Sequence, residues 1–449
     1  GRWVTSVELG HRGMIGAMVS PDVNRILTQS GPGTPGGEVL RQYWQPAALA
    51  EELHGDRPVV PVTLMNEELV LFRDEQEQLG LIGRPCPHRG VDLSFGRLED
   101  GGLRCPFHGW LFDVSGQCLE TPAEPVTSEF CSRVKNLSYP VREHNGIIWA
   151  YLGDGEPPDL PGLDCFVAPP SHVFAFKGMW NCNWLQSHEV GVDPAHAQFL
   201  HRVLEDDSEE YGQQFRDLVA DTGVTMTKLM REASAPTIET EPMPYGFRMR
   251  TTRNFRGEFT HVRLSNCIFP NAITIAMSRE MSITQWHVPI DDTSSYWYSM
   301  FVSYGAPVDA ETMRRQRISQ VTLPDYRPLN GRFNSWGFDP EEQRTSSYTG
   351  MGRDINVHDQ WAVESQGEIY DRRSEHLSPS DVGIRLHRRM FLAAADDPSS
   401  DKLIGRDLPV DGPIAIDAVT DGDDFDTTWQ ELEAARRAAC SWATPVAFE

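Results

Sequence analysis

Two short stretches hold the residues best suited to chemistry. Cys86-Pro87-His88 and Cys105-Pro106-Phe107-His108 each place one thiol and one imidazole in a single tight loop, with sixteen residues between them. Together they read C-x-H…C-x-x-H. Two thiolates can hold one iron of a [2Fe–2S] cluster and two imidazoles the other. Replacing two thiolates by neutral imidazoles removes negative charge and raises the reduction potential. Imidazole also titrates, so electron transfer can couple to protons. The competing use of such a set is a tetrahedral Cys2His2 zinc site. A single residue inside the first pair is tighter than zinc-finger spacing and favours the cluster. The other cysteines of the 8 lack metal-like spacing. The N-terminal stretch shows no apolar export signal, so reduced thiols in a cytoplasm are expected rather than a disulfide framework.

The text CPHRGVDLSFGRLEDGGLRCPFHGWLFDVSGQCLETPAEP, residues 86–125, resembles the Rieske domain of ring-hydroxylating oxygenases. The resemblance implies that Cys86 and Cys105 bind the buried iron and His88 and His108 the outer one. Phe107 stands where Tyr is more usual, which leaves ligation untouched. The resemblance continues through Asn183-Trp184, Glu189, Asp193-Pro194-Ala195-His196 and His201, which have the shape of the family's mononuclear-iron motif. It implies His196 and His201 as ligands of Fe(II). A facial triad needs a carboxylate beside two imidazoles. Residues 357–381, VHDQWAVESQGEIYDRRSEHLSPSD, resemble the phthalate dioxygenase branch and point to Asp359, with Glu364, Glu368 and Asp371 as rivals.

The spacing of the two histidines makes a demand on the backbone. Asp193-Pro194 reads as a helix N-cap followed by proline at the first helical position. His201 lies five residues after His196, about 140° round an ideal helix. The two imidazoles can share an ion only if the helix bends, bulges or ends there. Asp193 has a second reading, implied by the resemblance: in family trimers this residue links a ligand His of the iron to the cluster of a neighbouring chain. The resemblance implies that the bridge here joins His196 to His108 of the partner subunit. His188 and Val190 are unusual within the motif, and His188 is expected to be a pocket or core residue. His358, beside Asp359, is left open.

The strand Tyr245–Arg253 alternates, with Arg248 and Arg250 on one face and Arg253 on the other. Matching PYGFR text in the phthalate branch contributes an Arg that binds a substrate carboxylate, a contact with good bidentate geometry. Arg248 and Arg250 are therefore substrate candidates. Ion pairs on the sheet surface are the alternative.

These residues need elements to carry them. From Pro58 to Asp154 the chain reads as short strands punctuated by Gly, Asp and Asn. Pro157, Pro158, Pro161, Pro169 and Pro170 then mark a connection. The larger region beyond it mixes strands with helical stretches near 182–204, 309–320, 357–367 and 426–440. The expected fold is α+β: an all-β Rieske [2Fe–2S] domain over 42–156, and a helix-grip catalytic domain over 157–449 in which an antiparallel sheet wraps a helix. Residues 1–41 form a segment packing on the catalytic domain. Gly31, Gly33 and Gly36 formally spell G-x-G-x-x-G, but Pro32 and Pro35 remove backbone donors and no βαβ unit surrounds them, so a turn before a helix is expected.

A net charge of −25 disfavours nucleic acid and suits a basic electron donor. No apolar run long enough to cross a membrane occurs. The resemblance implies the oxygenase component of a multicomponent system, fed by a separate NAD(P)H-dependent reductase of flavin or ferredoxin type, because the chain has no nucleotide fold of its own. Its other reactants would be O2 and an aromatic acid, oxidised by ring hydroxylation or O-demethylation. A homotrimer or hexamer is expected. The alternative is a Rieske electron-transfer or redox-sensing protein, which would hold cluster iron alone.

Overall fold

The first half of the chain is built from hairpins whose turns are written in the sequence. In the computed structural model, which describes residues 19–125, 128–204, 222–398, 403–406 and 413–446, Met65-Asn66, Asp100-Gly101 and Asn145-Gly146 all have positive φ. Each pair joins two antiparallel strands by a two-residue loop: Val59–Leu64 to Glu67–Arg73, Arg97–Glu99 to Gly102–Arg104, and Val141–His144 to Ile147–Ala150. Positive φ at both central residues is the type I′ geometry that matches strand twist, and Asp-Gly and Asn-Gly favour it.

Three small sheets result. Val59–Leu64, Glu67–Arg73, Leu79–Gly83 and Ser138–Tyr139 form one. Gln45–Leu49, Ile147–Ala150 and Val141–His144 form a second, so the chain leaves this region beside the strand on which it entered. Arg97–Glu99, Gly102–Arg104, Leu111–Phe112 and Cys118–Glu120 form the third. Val70, Phe72, Ile82, Leu93, Leu103 and Phe112 make a fully buried core under the two cysteine loops.

The larger region holds an eight-stranded antiparallel sheet in the order Val173–Trp180, Ser295–Ser303, Met281–Pro289, Ala272–Ala276, Phe259–Ile268, Gly246–Phe255, Thr237–Met243, with Ile416–Thr420 also pairing to Phe259–Ile268. One face packs on the helices Trp184–Gly191 and Val382–Ala395. On it Phe247, Met249, Cys267 and Ile273 meet Val192 and Ile384. The other face receives the helix Phe425–Ala439, whose Trp429 packs on Val262, Leu264, Ile416 and Ala418. The fold is the expected α+β helix-grip arrangement. Of the expected packing segment 1–41, residues 1–18 lie outside the described residues; the helices Pro21–Thr28 and Pro35–Arg41 pack on Val382–Ala395. Pro35 follows Thr34, whose hydroxyl caps the second of these helices, as expected of a turn into a helix.

The stretch 182–204, expected as one helical region, is divided. The helix Trp184–Gly191 ends at Val192, Asp193-Pro194 reset the chain, and a single turn, Ala197–Leu200, follows. Glu189 ties the first of these to its neighbours: its carboxylate receives Arg372 at 3.0 Å and Arg388 at 2.5 Å, all three residues buried. Burial pushes Glu189 up, but the two guanidiniums outweigh it and hold the carboxyl at about 2. No described helix is long and apolar enough to cross a membrane.

Candidate metal centres and substrate pocket

The two cysteine loops have the same internal shape. In the first, the Cys86 amide donates to the Val91 carbonyl and the Gly90 amide to the Cys86 carbonyl, both at 2.8 Å; in the second, Cys105 donates to Trp110 at 2.8 Å and Gly109 to Cys105 at 2.9 Å. Each therefore closes on a glycine four residues after its cysteine, Gly90 at φ 72° and Gly109 at φ 76°. Left-handed backbone there is what Gly supplies cheaply. At Gly109 a Cβ would also lie 2.7 Å from Pro122 Cγ. These glycines are structural residues that the reading of ligand spacing passed over. The repeated C-x-x-x-G was the signal for them.

Cys86 and Cys105 are buried, whereas His88 and His108 are partly exposed with ring centroids 4.4 Å apart. Trp110 stacks flat on His88 at 4.4 Å, and Phe107 packs on His108 at 3.9 Å. The Nδ1 atoms of both histidines are buried and make no hydrogen bond. Two bare nitrogens on neighbouring rings and two buried thiols fit a cluster with thiolates on the inner iron and imidazoles on the outer. The donor set passes the chemical test for a Rieske centre.

The second group is a triangle. His196 Nε2 lies 3.2 Å from His201 Nε2 and 3.6 Å from Asp359 Oδ1, and His201 Nε2 lies 3.3 Å from the same oxygen. Three ligands at right angles with bonds of about 2.1 Å would stand about 3.0 Å apart, so one first-row ion fits with little movement. Asp359 Oδ1 is buried and makes no hydrogen bond, which leaves it free for an ion. The backbone demand set by the five-residue spacing is met by an ending: His196 caps the one-turn helix and His201 leaves it at φ −100°, ψ 14°.

Neighbours set the tautomer of each imidazole. His196 Nδ1–H donates to the Asp193 main-chain carbonyl, so Nε2 offers its lone pair. His358 Nε2–H donates to the Gly352 carbonyl at 3.0 Å, which leaves His358 Nδ1 as an acceptor for His201 Nδ1–H at 3.4 Å. His201 Nε2 then also offers a lone pair. Carbonyl and imidazole partners of this kind orient metal-binding histidines. Burial lowers the pKa of His196 and His358, with the neighbouring His201 adding to it in both. Burial pushes Asp359 up, but His201 and His196 outweigh it and the carboxyl stays below its usual range. The site therefore presents neutral imidazoles at His196 and His358 and a carboxylate at Asp359.

The structure separates Asp359 from its rivals. Glu364 is committed to the Asn181 amide at 2.8 Å, to Gln360 Nε2 at 3.1 Å and to the Trp336 indole N–H at 2.7 Å. Glu368 is exposed, and Asp371 is exposed and paired with Arg373. Asp193 accepts from the Ala195 amide at 2.8 Å, closing a turn ahead of the helix rather than capping it as expected, because the helix starts only at Ala197 with His196 as its cap, and its carboxylate remains partly exposed.

A cavity of about 670 Å³ adjoins His196 and is lined by Phe199, Trp336, Phe338, Tyr348, Met351 and Trp361 among others. Trp336 and the preceding Ser335 sit at φ 53°. This is left-handed backbone for two consecutive non-glycine residues, at about 1–3 kcal/mol each. The Trp336 bond to Glu364 holds the turn in place.

The two arginines assigned to substrate are elsewhere. Arg250 pairs with Glu239 at 2.6 Å and Asp426 at 2.8 Å, and Arg248 reaches Glu241 at 3.6 Å and covers Trp429. Alternation explains the correction: both lie on the face under the helix Phe425–Ala439. Arg253, on the opposite face, reaches the active-site segment by donating to the Pro194 carbonyl at 2.9 Å.

Comparison with known proteins agrees with this geometry. The Rieske [2Fe-2S] domain family matches residues 43–135, and the family described as LigXa C-terminal domain like matches residues 158–440. The chain is 33% identical to the phthalate 4,5-dioxygenase oxygenase subunit of Pseudomonas putida, over 84% of this chain and 86% of that protein. It is 32% identical to the 5,5'-dehydrodivanillate O-demethylase oxygenase subunit of Sphingobium sp. (strain NBRC 103272 / SYK-6), over 93% and 91%. Among solved structures, Pseudomonas putida CBB5 NdmA QL mutant with caffeine superposes with a TM-score of 0.55 at 18% identity, over 83% of this chain and 95% of that one, a likeness of fold. The chain belongs to the Rieske non-haem iron oxygenases of the phthalate dioxygenase-like branch, as an oxygenase component whose cofactors are a Rieske-type [2Fe–2S] cluster and a mononuclear Fe(II).

Proposed function

We propose that this oxygenase oxidises an aromatic acid, by ring hydroxylation or by O-demethylation of a methoxylated ring, with Fe(II) held by His196, His201 and Asp359 and the cluster held by Cys86, His88, Cys105 and His108. The observation that carries the proposal is the three-residue triangle placed beside an aromatic-lined cavity. When bound, the cluster relays electrons from an NAD(P)H-dependent reductase and Fe(II) activates O2.

The chain's own contribution is orientation and exclusion. The Asp193 carbonyl and His358 fix the two imidazoles, so the ligand face needs little rearrangement when the ion enters. Phe199, Trp336, Phe338, Tyr348 and Trp361 offer flat apolar surface to a ring and displace water from beside His196. The described lining holds no Arg or Lys. Its polar groups include the Ser335, Tyr348 and Thr349 hydroxyls and the Gln343 amide, a set suited to ether and phenol oxygens.

Asp193 is assigned a second duty beyond its turn contact with Ala195, as the bridge from His196 to the partner subunit's His108. That duty makes a homotrimer or hexamer of this chain the working unit. It rests on the partly exposed carboxylate next to the His196 turn. The division into a Rieske unit at 42–156 and a catalytic unit at 157–449, a flavin or ferredoxin type of reductase and a cytoplasmic location belong to the same proposal.

The test is O2 consumption by the purified oxygenase with a matched reductase and NAD(P)H, over phthalates, benzoates and methoxylated aromatic acids. Formaldehyde released in step with O2 uptake supports demethylation, and a cis-diol supports ring hydroxylation. Uptake without either product across the panel overturns the substrate class.

A further inference from the structure

His188, odd within the iron motif, is not a surface accident. It lies fully buried with Cys267 and His387, which come from three separate elements: the helix Trp184–Gly191, the strand Phe259–Ile268 and the helix Val382–Ala395. One ligand atom from each lies within 4.8 Å of the other two. His188 Nε2 and Cys267 Sγ are 3.6 Å apart, and the His188 and His387 rings have centroids 4.4 Å apart.

Hydrogen bonding alone leaves this group incomplete. His387 Nε2–H donates to the Pro270 carbonyl at 2.7 Å, so Nδ1 carries the ring's lone pair. That Nδ1 is buried and has no partner. A buried polar atom left unmatched costs about 1–3 kcal/mol. A carbonyl holding one imidazole nitrogen while the other points bare into a cluster is the arrangement found behind metal ligands. The spacing agrees. Bonds of about 2.0 Å to nitrogen and 2.3 Å to sulfur, in a trigonal plane, put N and S about 3.7 Å apart.

We propose that His188, Cys267 and His387 form a second metal site, distinct from both iron centres, that takes a monovalent soft cation, Cu(I). Two imidazoles and a thiolate are a soft set. Binding is a ligand exchange without redox change: the Cys267 S–H bond breaks, a copper–sulfur bond forms, and one proton leaves to solvent. The charge argument selects the ion. Cu(I) with one thiolate is neutral, as a pocket beside Val192, Phe247, Met249 and Ile273 requires. Zn(II) with the same ligands would add a net positive charge to a buried region that already holds the Glu189, Arg372 and Arg388 charges, and would ask for a fourth ligand. The site joins the sheet to both helices packed on it.

The test uses the full chain with its cluster and mononuclear iron loaded. Anaerobic titration with Cu(I), in competition with a chromogenic Cu(I) chelator, should show one ion taken up per chain. X-ray absorption at the copper edge of the wild-type protein should show one sulfur and two nitrogen neighbours. Cys267→Ala and His387→Leu should each lose that uptake while keeping the visible spectrum of the cluster, and His196→Ala should retain it. The assignment is overturned if the wild type takes up no Cu(I), if its copper has no sulfur neighbour, or if Zn(II) binds this set in preference. Activity plays no part in the readout, so failure here is separable from failure of the oxygenase reading.

Discussion

His358 acts on the iron without touching it, and its removal should be measurable. Its Nε2–H is held by Gly352, so its Nδ1 can only accept, and what it accepts is the His201 Nδ1–H. This fixes His201 in the tautomer that turns Nε2 toward His196 and Asp359. His358→Leu keeps the bulk and deletes the acceptor. Loss of an orienting partner of this kind costs about 10- to 100-fold in metal affinity. The contact here is 3.4 Å, longer than the usual range for a hydrogen bond, so the lower end applies: about tenfold, or about 1.4 kcal/mol. The assay is Fe(II) binding in competition with a chromogenic chelator, with the visible spectrum of the cluster as an internal control for folding. His358→Asn, which restores an acceptor, should recover part of the loss. Wild-type Fe(II) affinity in His358→Leu would refute the tautomer argument. Equal weakening of Fe(II) binding and of the cluster would show a general folding defect instead.

Three further outcomes are expected. Asp359→Asn should lose the mononuclear iron and substrate oxidation while keeping cluster iron and its reduction by the reductase, read by metal analysis and stopped-flow absorbance. Glu189→Gln leaves Arg372 buried without its carboxylate, while Arg388 keeps Glu375, and should destabilise the chain by about 3 kcal/mol in denaturant unfolding, the low end for a broken buried pair. In the wild type, a carboxyl moved from 4.5 to about 2 supplies about 3 kcal/mol, complete above about pH 4.5 and lost as pH falls toward 2; an acid-unfolding limb unchanged by Glu189→Gln would contradict this. Arg250→Ala should leave KM for the aromatic acid unchanged, since the guanidinium is spent on Glu239 and Asp426; a large rise in KM would return Arg250 to the substrate.

What could be read from sequence divides by range. The cluster loops were legible because their chemistry is local: each cysteine and histidine share one turn, and the spacing states the ligand set. The His196–His201 pair was legible as a conflict with helical geometry, and the structure resolves it by stopping the helix at Leu200. Asp359 needed a resemblance, because nothing within residues 357–381 ranks one carboxylate above another. The ranking comes from Glu364 being taken by Trp336 and Asn181. The faces of the Tyr245–Arg253 strand were assigned correctly, but which face met the active site depended on where Phe425–Ala439 docks, nearly two hundred residues away. His358 and the His188 group were invisible for the same reason: their meaning lies in Gly352, His387 and Cys267, partners the chain brings in from afar.

The helix Ile355–Glu364 carries, in ten residues, an iron ligand, the group that aims a second ligand, part of the cavity wall at Trp361 and Ala362, and the peg at Glu364. Load applied by a guest molecule to the wall is borne by the same rod that sets the carboxylate against the imidazoles. Occupancy of the cavity and the metal's surroundings are thereby geared together. Any divergence of diet among descendants of this chain that runs through Trp361 or Ala362 must be tuned against the oxidising centre at the same time.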